Sequence, residues 1–166
     1  MQKIASLIII VAAFTYSSVN ANQYHEKILN NNQDGLERLC RQKYPGINGK
    51  AKYGESPLHC AVVKNKFNMV RMLLRAGACI LSTNDWNQTP LHSAAMLGFE
   101  EILRLLLVNL KKQESWDWYK TIIDWQDQNG NTALHLAAQS GNSTCIRTLI
   151  KAGANSTIKN NGGLQA

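Results

Sequence analysis

Three histidines are the first residues in this chain whose type and spacing suggest chemistry. His59 and His92 are thirty-three positions apart, and His135 follows after a spacing that is ten positions longer. Recurring imidazoles could ligate zinc or serve as general bases. Zinc holds its ligands about 2 Å away, whereas packed helices lie about 8–10 Å apart. If each histidine belongs to its own helical unit, no two of them can share a metal ion.

The four cysteines do not form a metal or redox motif. Cys40, Cys60, Cys79 and Cys145 include no Cys-x-x-Cys pair. Three of them fall on helical patterns at apolar or half-buried positions, so we expect free thiols rather than a disulfide framework. The sequence also lacks a Ser-His-Asp order, a glycine-rich phosphate loop and a carboxylate pair at a meaningful spacing. It therefore predicts no catalysis, no cofactor and no metal.

Each of the three histidines lies in a segment that the chain repeats. The segments read Ser-Pro-Leu-His-Cys-Ala from residue 56, Thr-Pro-Leu-His-Ser-Ala from residue 89 and Thr-Ala-Leu-His-Leu-Ala from residue 132. A hydroxyl residue followed by proline starts a helix, because the hydroxyl caps free amides and proline fits the first turn. A second apolar pattern predicts a helix from Glu100 to Val108. One such helix pair cannot bury its own apolar surface, but several in a stack can.

The period of thirty-three positions that carries Thr-Pro-Leu-His-x-Ala resembles the ankyrin repeat family. The resemblance implies an all-α repeat solenoid, in which helix-turn-helix repeats stack and short hairpin-like turns join them. It also implies that the histidines are structural and bond within the turn network. Proteins of this family use no cofactor and bind another protein on a concave surface, and the same is expected here.

The repeat spacing divides the chain into six parts. The period is interrupted once, because the spacing between His92 and His135 is longer than that of the preceding pair. Near the start, Tyr24, Ile28 and Leu29 are expected to form one apolar face. The predicted parts are a signal peptide (1–21), a degenerate N-terminal capping repeat (22–50), a full repeat (51–83), a repeat with a ten-residue insertion at about 109–122 (84–126), a third full repeat (127–159) and the start of a truncated repeat or tail (160–166).

The segment 1–21 is typical of a secretory signal peptide. Lys3 precedes an apolar run from Ile4 to Phe14, and the segment ends with Val19-Asn20-Ala21. The run is shorter than the roughly 20 apolar residues of a membrane-spanning helix. An uncleaved anchor and a buried core helix are the alternatives. Cleavage predicts a mature chain in the periplasm or outside the cell, with no stable membrane insertion.

Charge is distributed unevenly along the chain, whose formal net charge is +7. Residues 38–75 contain nine basic side chains and one acidic side chain, Glu55. This imbalance favours a partner that is acidic on the side facing residues 38–75, although helix exteriors are ordinarily charged. Nucleic acid is not expected, because its binding wants basic residues along one face with interleaved aromatics, and an exported protein seldom meets it. We expect a monomer.

The family resemblance places protein contacts at the turn tips and on the inner face of the first helices. Tyr53 and Trp86 are the leading candidates, because aromatic side chains dominate binding hot spots. Asn87 stands where the family has a turn glycine, so the shape of that tip depends on it. The candidate contact residues are Lys52, Tyr53, Glu55, Lys64, Asp85, Trp86, Gln88, Met96, Leu97, Gln128, Asn129, Asn131, Gln139 and Ser140.

The insertion is rich in aromatic residues and predicts a short extra helix. On that helix Trp116, Tyr119, Ile122 and Ile123 would form one buried face at three- to four-residue spacing. Trp118 would then be exposed as a further candidate contact. The insertion is either a lid over the neighbouring repeats or a second contact site.

The sequence favours an exported protein-binding module without catalysis. The alternative is a secreted effector that binds a host protein, and a remote one is a small accessory enzyme. A periplasmic pool of cleaved protein favours the module, whereas recovery from a host fraction favours the effector. Turnover that depends on one polar residue favours the enzyme.

Export with cleavage can be tested at the N-terminus of the protein. Mass spectrometry of the soluble protein should find Asn22 as the first residue, because the small-x-Ala pattern ends at Ala21. A soluble protein that still begins at Met1 would contradict this prediction.

Overall fold

The computed structural model describes residues 22–43, 45–113 and 116–166, and the predicted signal peptide lies outside these ranges. The helices are α1 (residues 22–29), α2 (Gln33–Arg41), α3 (Pro57–Val63), α4 (Phe67–Arg75), α5 (Pro90–Leu97), α6 (Glu100–Gln113), α7 (Trp116–Ile123), α8 (Ala133–Gln139) and α9 (Ser143–Ala152), with a 3₁₀ turn at Lys52–Gly54. No helix in the described part is both long and apolar enough to cross a membrane. The prediction of an all-α repeat solenoid is confirmed.

The first helix of each full repeat begins where the sequence predicts. Pro57 and Pro90 are the first residues of α3 and α5, directly after Ser56 and Thr89. α8 starts after Thr132 without a proline. In all three helices the hydroxyl residue and the histidine three positions later cap each other. The reciprocal cap, rather than the proline, is therefore what the three helix starts share.

The helices pack in two layers. The first helices α3, α5 and α8 stack on one another, and the second helices α2, α4, α6 and α9 form the layer behind them. A core cluster extends along the array from Tyr24 in α1 to Leu149 in α9. Ala61, Ala94 and Ala137 are fully buried, and their small side chains allow neighbouring helices to approach closely.

Hairpin-like turns join the repeats and stack at their tips. Each tip donates one backbone amide to a carbonyl of the preceding tip. The pairs are Asp85 to Tyr53 at 3.0 Å, Gln128 to Trp86 at 3.1 Å and Asn161 to Asn129 at 3.0 Å. These bonds satisfy backbone groups that would otherwise face solvent, and they hold the tips in register.

Asn87 keeps the tip shape that glycine provides elsewhere. Its φ is 58°, while Gly54 and Gly130 at the equivalent positions have φ of 67° and 74°. Asparagine tolerates this left-handed conformation better than most residues do. The Asn87 amide also donates to the Gln126 carbonyl at 3.0 Å, which anchors the tip to the following loop.

The degenerate first pair of helices differs from prediction at one position. Tyr24 and Ile28 are buried, but Leu29 is 59 % exposed. Residues four apart share a helix face, whereas the next residue is turned by about 100°. The expectation that Leu29 belongs to the buried face was therefore wrong.

The insertion begins as a continuation of the second helix of its repeat. α6 runs to Gln113, so the predicted end at Val108 was wrong. Leu107 and Leu110 are buried and follow Leu103 at spacings of four and three residues. Because this apolar stripe continues past Val108, the helix continues with it.

α7 is the extra helix that the insertion predicts, and one of its faces is packed. Tyr119, Ile122 and Ile123 are buried and belong to the core. The Tyr119 hydroxyl donates to the Ala152 carbonyl at 3.1 Å, which ties α7 to the end of α9. The buried face expected for these three residues is confirmed.

Replacing two neighbouring rings of α7 should have opposite consequences. Trp118 is 59 % exposed, as predicted, so Trp118→Ala should change the free energy of unfolding by less than about 0.5 kcal/mol. Tyr119→Ala should cost about 3 kcal/mol, as the truncation of buried aromatic side chains does. Urea denaturation of both variants beside the unsubstituted chain measures the difference. An equal loss of unfolding free energy in both variants would show that Trp118 is also a packing residue. The side chain of Trp116, which was predicted to share the buried face, lies outside the described residues.

Candidate protein-binding surface

The histidines secure the start of each first helix. The Nδ1 atoms of His59, His92 and His135 lie 2.8–2.9 Å from the hydroxyl oxygen of the capping residue three positions earlier. The backbone amide of the same capping residue donates to Nδ1 at 3.2–3.3 Å. Nδ1 is therefore an acceptor, and the ring proton is on Nε2.

The Nε2 atoms of the three histidines reach the next repeat. The carbonyl acceptors in the next repeat are Gln88 for His59 at 2.9 Å, Asn131 for His92 at 3.3 Å and Leu164 for His135 at 3.1 Å. The Nε2 atom of His92 also lies 3.0 Å from the Trp125 carbonyl, at the end of its own repeat. Both nitrogens of each ring are used, which confirms the structural role that the family resemblance implies. Among the described residues, no group of His, Cys, Asp and Glu side chains could hold a metal ion.

A fourth histidine makes the same inter-repeat contact, and sequence reasoning missed it. The Nε2 atom of His25 lies 3.0 Å from the Glu55 carbonyl. The available signal was spacing, because the interval from His25 to His59 is only one position longer than the repeat period. No Ser-Pro or Thr-Pro pair precedes His25, so the motif itself gave no indication.

Burial favours the neutral form of the His59 and His92 rings. Desolvation lowers the pKa of His59 to about 4, and the hydrogen bond to the Gln88 carbonyl offsets only part of this effect. Burial also lowers the pKa of His92. A charged ring would carry a proton on Nδ1, where the amide and hydroxyl of the cap need an acceptor. Protonation is therefore incompatible with the helix cap.

The two leading contact candidates lie side by side at neighbouring turn tips. The ring centroids of Tyr53 and Trp86 are 5.7 Å apart, with an interplanar angle of 32°. Tyr53 is 51 % exposed and Trp86 is 46 % exposed. The Lys52 ammonium lies 4.7 Å from the Tyr53 ring centroid, within the range of a cation–π contact. The structure thus brings both rings into one surface feature.

Exposed apolar side chains continue this surface along the first helices. Leu29, Val63 and Met96 each lie four residues after the histidine of their repeat, and all three are exposed. Equivalent positions in stacked helices lie beside one another. These three residues, together with Tyr53 and Trp86, form the apolar strip.

The N-terminal part of the apolar strip opens into a cleft of about 670 Å³. Leu29, Tyr53 and Val63 line the cleft. The charged side chains among its lining residues are Glu26, Lys52, Glu55 and Lys64. The cleft therefore combines an apolar floor with charges of both signs.

The apolar strip ends at the third full repeat. Gln139 occupies the position of Met96 there and is exposed. Asn131 is buried, and its side-chain oxygen accepts from Gln139 at 3.3 Å and from Asn160 at 2.9 Å. The side-chain oxygen of Asn131 is therefore hydrogen-bonded within the protein. Asn131 was predicted to be a contact residue, but the structure does not place it on the surface.

Two candidate glutamines hold neighbouring tips together. Gln88 donates to the Asp127 carboxylate at 3.0 Å, and the Gln128 amide donates to the Asp85 carbonyl. Each of these two side chains thus donates a hydrogen bond within the protein. The other candidates with exposed side chains are Lys52, Lys64, Asp85, Leu97, Asn129 and Ser140, whereas Glu55 is half-buried.

Trp118 lies apart from the apolar strip. It belongs to α7, which packs against α6 in the second layer, whereas the strip lies on first helices and turn tips. The basic residues of 38–75 are also divided between the layers. Lys52 and Lys64 line the cleft, but Arg71 and Arg75 are exposed on α4.

The four cysteines are present as free thiols. Cys60 and Cys145 are buried, Cys40 is half-buried and Cys79 is exposed. Burial raises the pKa of Cys60 to about 11. Because the thiolate is the nucleophile, this burial suppresses the reactivity of Cys60.

Stacked helix pairs, tip-to-tip turns and an exposed apolar strip define a helical repeat protein of the kind that binds other proteins. A family model described as ankyrin repeats in three copies matches residues 24–116 and 80–160. The chain belongs to the ankyrin repeat family, whose members are typically protein-interaction modules without catalysis.

Relatives of the chain differ widely in overall function. It is 35% identical over 112 residues to the transient receptor potential cation channel subfamily A member 1 of Homo sapiens, over 67% of this chain and 9% of the channel. It is 33% identical over 108 residues to the nuclear factor NF-kappa-B p105 subunit of Rattus norvegicus, over 65% of this chain and 10% of that subunit. It is 30% identical over 123 residues to the probable 26S proteasome regulatory subunit p28 of Saccharomyces cerevisiae, over 74% of this chain and 50% of that subunit. The chain thus spans from about a tenth to half the length of these relatives, and the shared part is the repeat array.

Because His59 is neutral in the folded protein, we predict that acid destabilises the fold. His59 has a pKa of about 4 in the folded protein and about 6.5 when unfolded, so the unfolded chain binds more protons between these values. Stability is complete above about pH 6.5 and falls as the pH drops towards 4, by about 3 kcal/mol from this residue. Urea unfolding at several pH values measures the loss, and His59→Gln should reduce the dependence. An imidazole NMR signal of His59 that titrates near pH 6.5 in the folded protein would contradict the account.

Proposed function

We propose that the chain is an exported protein-binding module that holds its partner against the apolar strip. The observation that carries this proposal is the cleft lined by Leu29, Val63 and Tyr53, with Trp86 paired to the Tyr53 ring. Met96 occupies the equivalent position in the next repeat. Exposed apolar side chains in a contiguous group are costly unless a partner covers them. Large aromatic side chains are also the residues that contribute most to protein interfaces.

The chemistry of the strip indicates what kind of partner fits. Its apolar and aromatic groups suit a segment that presents its own apolar side chains. Lys52 and Lys64 beside the cleft favour acidic residues at the ends of that segment. The polar Gln139 at the equivalent position of the third full repeat limits the main contact to the preceding repeats.

Export is the second part of the proposal, and the segment 1–21 supports it. The apolar run from Ile4 to Phe14 and the ending at Ala21 suit a cleaved leader. Retention in a periplasm and release outside the cell both follow from such a leader. A secreted effector that binds a host protein is the alternative, and fractionation of a host culture distinguishes the two.

The relatives support a binding role and leave the partner open. A cation channel, a nuclear factor subunit and a probable proteasome regulatory subunit are similar to this chain over its repeat array. Because the names of these relatives point to different whole proteins, the repeat array alone does not identify a partner. The partner of this chain is therefore specified by its own strip.

Binding through the strip can be tested with matched single substitutions. The partner is captured with the intact chain, identified, and titrated against purified variants. Trp86→Ala should weaken binding about thirtyfold, because an interface hot spot contributes about 2 kcal/mol. Ile150→Ala is the control, since Ile150 is 52 % exposed but lies on α9 in the second layer.

Thermal unfolding of both variants shows that neither substitution has damaged the fold. The proposal fails if Ile150→Ala weakens binding as much as Trp86→Ala does. It also fails if Trp118→Ala abolishes binding while Trp86→Ala leaves it unchanged, since the insertion would then be the contact site.

A further inference from the structure

Three asparagines in the described residues stand in the acceptor pattern Asn-x-Ser/Thr. The segments are Asn87-Gln88-Thr89, Asn142-Ser143-Thr144 and Asn155-Ser156-Thr157. In a chain that passes through a eukaryotic secretory pathway, this pattern accepts N-linked glycans. The three sites differ sharply in what their side-chain amides do in the folded protein.

The Asn142 amide is committed to holding two repeats together. Its Nδ2 donates to the Ala95 carbonyl at 3.0 Å and to the Met96 carbonyl at 2.8 Å. A glycosylated amide keeps only one N–H, so at least one of these bonds would be lost. A Cβ built at Gly98 would lie 2.7 Å from the Asn142 side chain, which shows how little room remains there for a sugar.

The Asn87 site is also engaged in the fold. Its Nδ2 donates to the Gln126 carbonyl at 3.0 Å, and the residue is half-buried in a left-handed tip. The Thr89 hydroxyl, the third member of the pattern, is buried against the His92 ring at 2.9 Å. A glycan at this tip would also crowd Trp86.

Asn155 has the opposite environment. It is exposed in the loop after α9, and its backbone amide donates to the Asp124 carboxylate at 2.8 Å. Its Oδ1 accepts from the Thr157 amide at 2.9 Å and from the Thr157 hydroxyl at 2.8 Å. The third residue of the pattern thus fixes the oxygen end of the amide, and no contact within the described residues engages the nitrogen end.

We propose that Asn155 carries an N-linked glycan in the exported protein. The donor is an oligosaccharide linked to a polyprenyl pyrophosphate. A bond forms between Nδ2 and the first sugar carbon, while the bond from that carbon to the pyrophosphate oxygen breaks and its electron pair leaves with the pyrophosphate. Nδ2 loses one proton in the step. This inference rests on the proposed export in the form of release through a eukaryotic secretory pathway, where the donor and its transferase occur, and not in the form of retention in a periplasm.

The position of Asn155 is compatible with the proposed binding role. The residue follows a helix of the second layer, and its backbone amide donates to Asp124, which directly follows α7. The apolar strip lies on first helices and turn tips. A glycan on Asn155 therefore leaves the strip open to a partner.

The test uses the full chain secreted from a eukaryotic cell line. The secreted protein should lose mass when treated with a peptide N-glycosidase, and the enzyme should convert Asn155 to aspartate. Asn155→Gln and Thr157→Ala should each abolish the mass change. Ser156→Ala is the matched control, because it alters the same loop but keeps the acceptor pattern, and it should retain the glycan.

A second form, in which residues 1–21 are replaced by a leader of known secretory function, separates this inference from export. If the natural leader fails but this form is glycosylated at Asn155, the export proposal is wrong and the glycan site stands. If either form is secreted without a glycan, or with a glycan that persists in Asn155→Gln, the inference is overturned. A glycan confined to Asn87 or Asn142 overturns it as well.

Discussion

The structure depends on an imidazole that joins two repeats. One nitrogen of the ring completes the helix cap of its own repeat, and the other donates to a carbonyl of the next repeat. His59, His92 and His135 do both, and His25 makes the inter-repeat contact at the start of the array. Because each ring fixes a helix start relative to the following turn, it sets how successive repeats stack. Burial that lowers the pKa of His59 and His92 protects this arrangement at neutral pH.

Because the repeats stack regularly, equivalent positions of successive repeats lie next to one another on the surface. Residues four positions after each histidine emerge side by side, which aligns Leu29, Val63 and Met96. The tip-to-tip backbone bonds do the same for Tyr53 and Trp86. The insertion does not disturb this register, because α7 packs against the second layer rather than between repeats. Side chains from separate repeats can therefore form one contiguous binding surface.

Short sequence patterns predicted the fold because each repeat carries its own helix-start signal and packs only against the adjacent repeats. Helix starts and the alanines of the first helices were predictable from short segments, whereas the shape of the tip at Asn87 was left open and proved to be left-handed. Two misses had local causes: His25 lacks the proline motif although its spacing fits the repeat, and Leu29 follows Ile28 directly, so it is turned away from the buried face of α1. Asn131 was misplaced because its amide partners, Gln139 and Asn160, lie 8 and 29 residues away. The sequence predicted part of the apolar strip, because the aromatic residues at the turn tips are recognisable. Leu29 and Val63 were not among the contact candidates, because their place beside the tips follows only from the stacking of the repeats.

Hydrogen–deuterium exchange of the chain, with and without its purified partner, tests the central claim most directly. A partner held against the apolar strip should slow exchange in peptides covering residues 22–30, 52–64 and 85–97. Exchange in α6 and α9, which form the opposite layer, should be unchanged. Protection confined to α6, α7 or α9, with no change along the first helices and turn tips, would contradict the account.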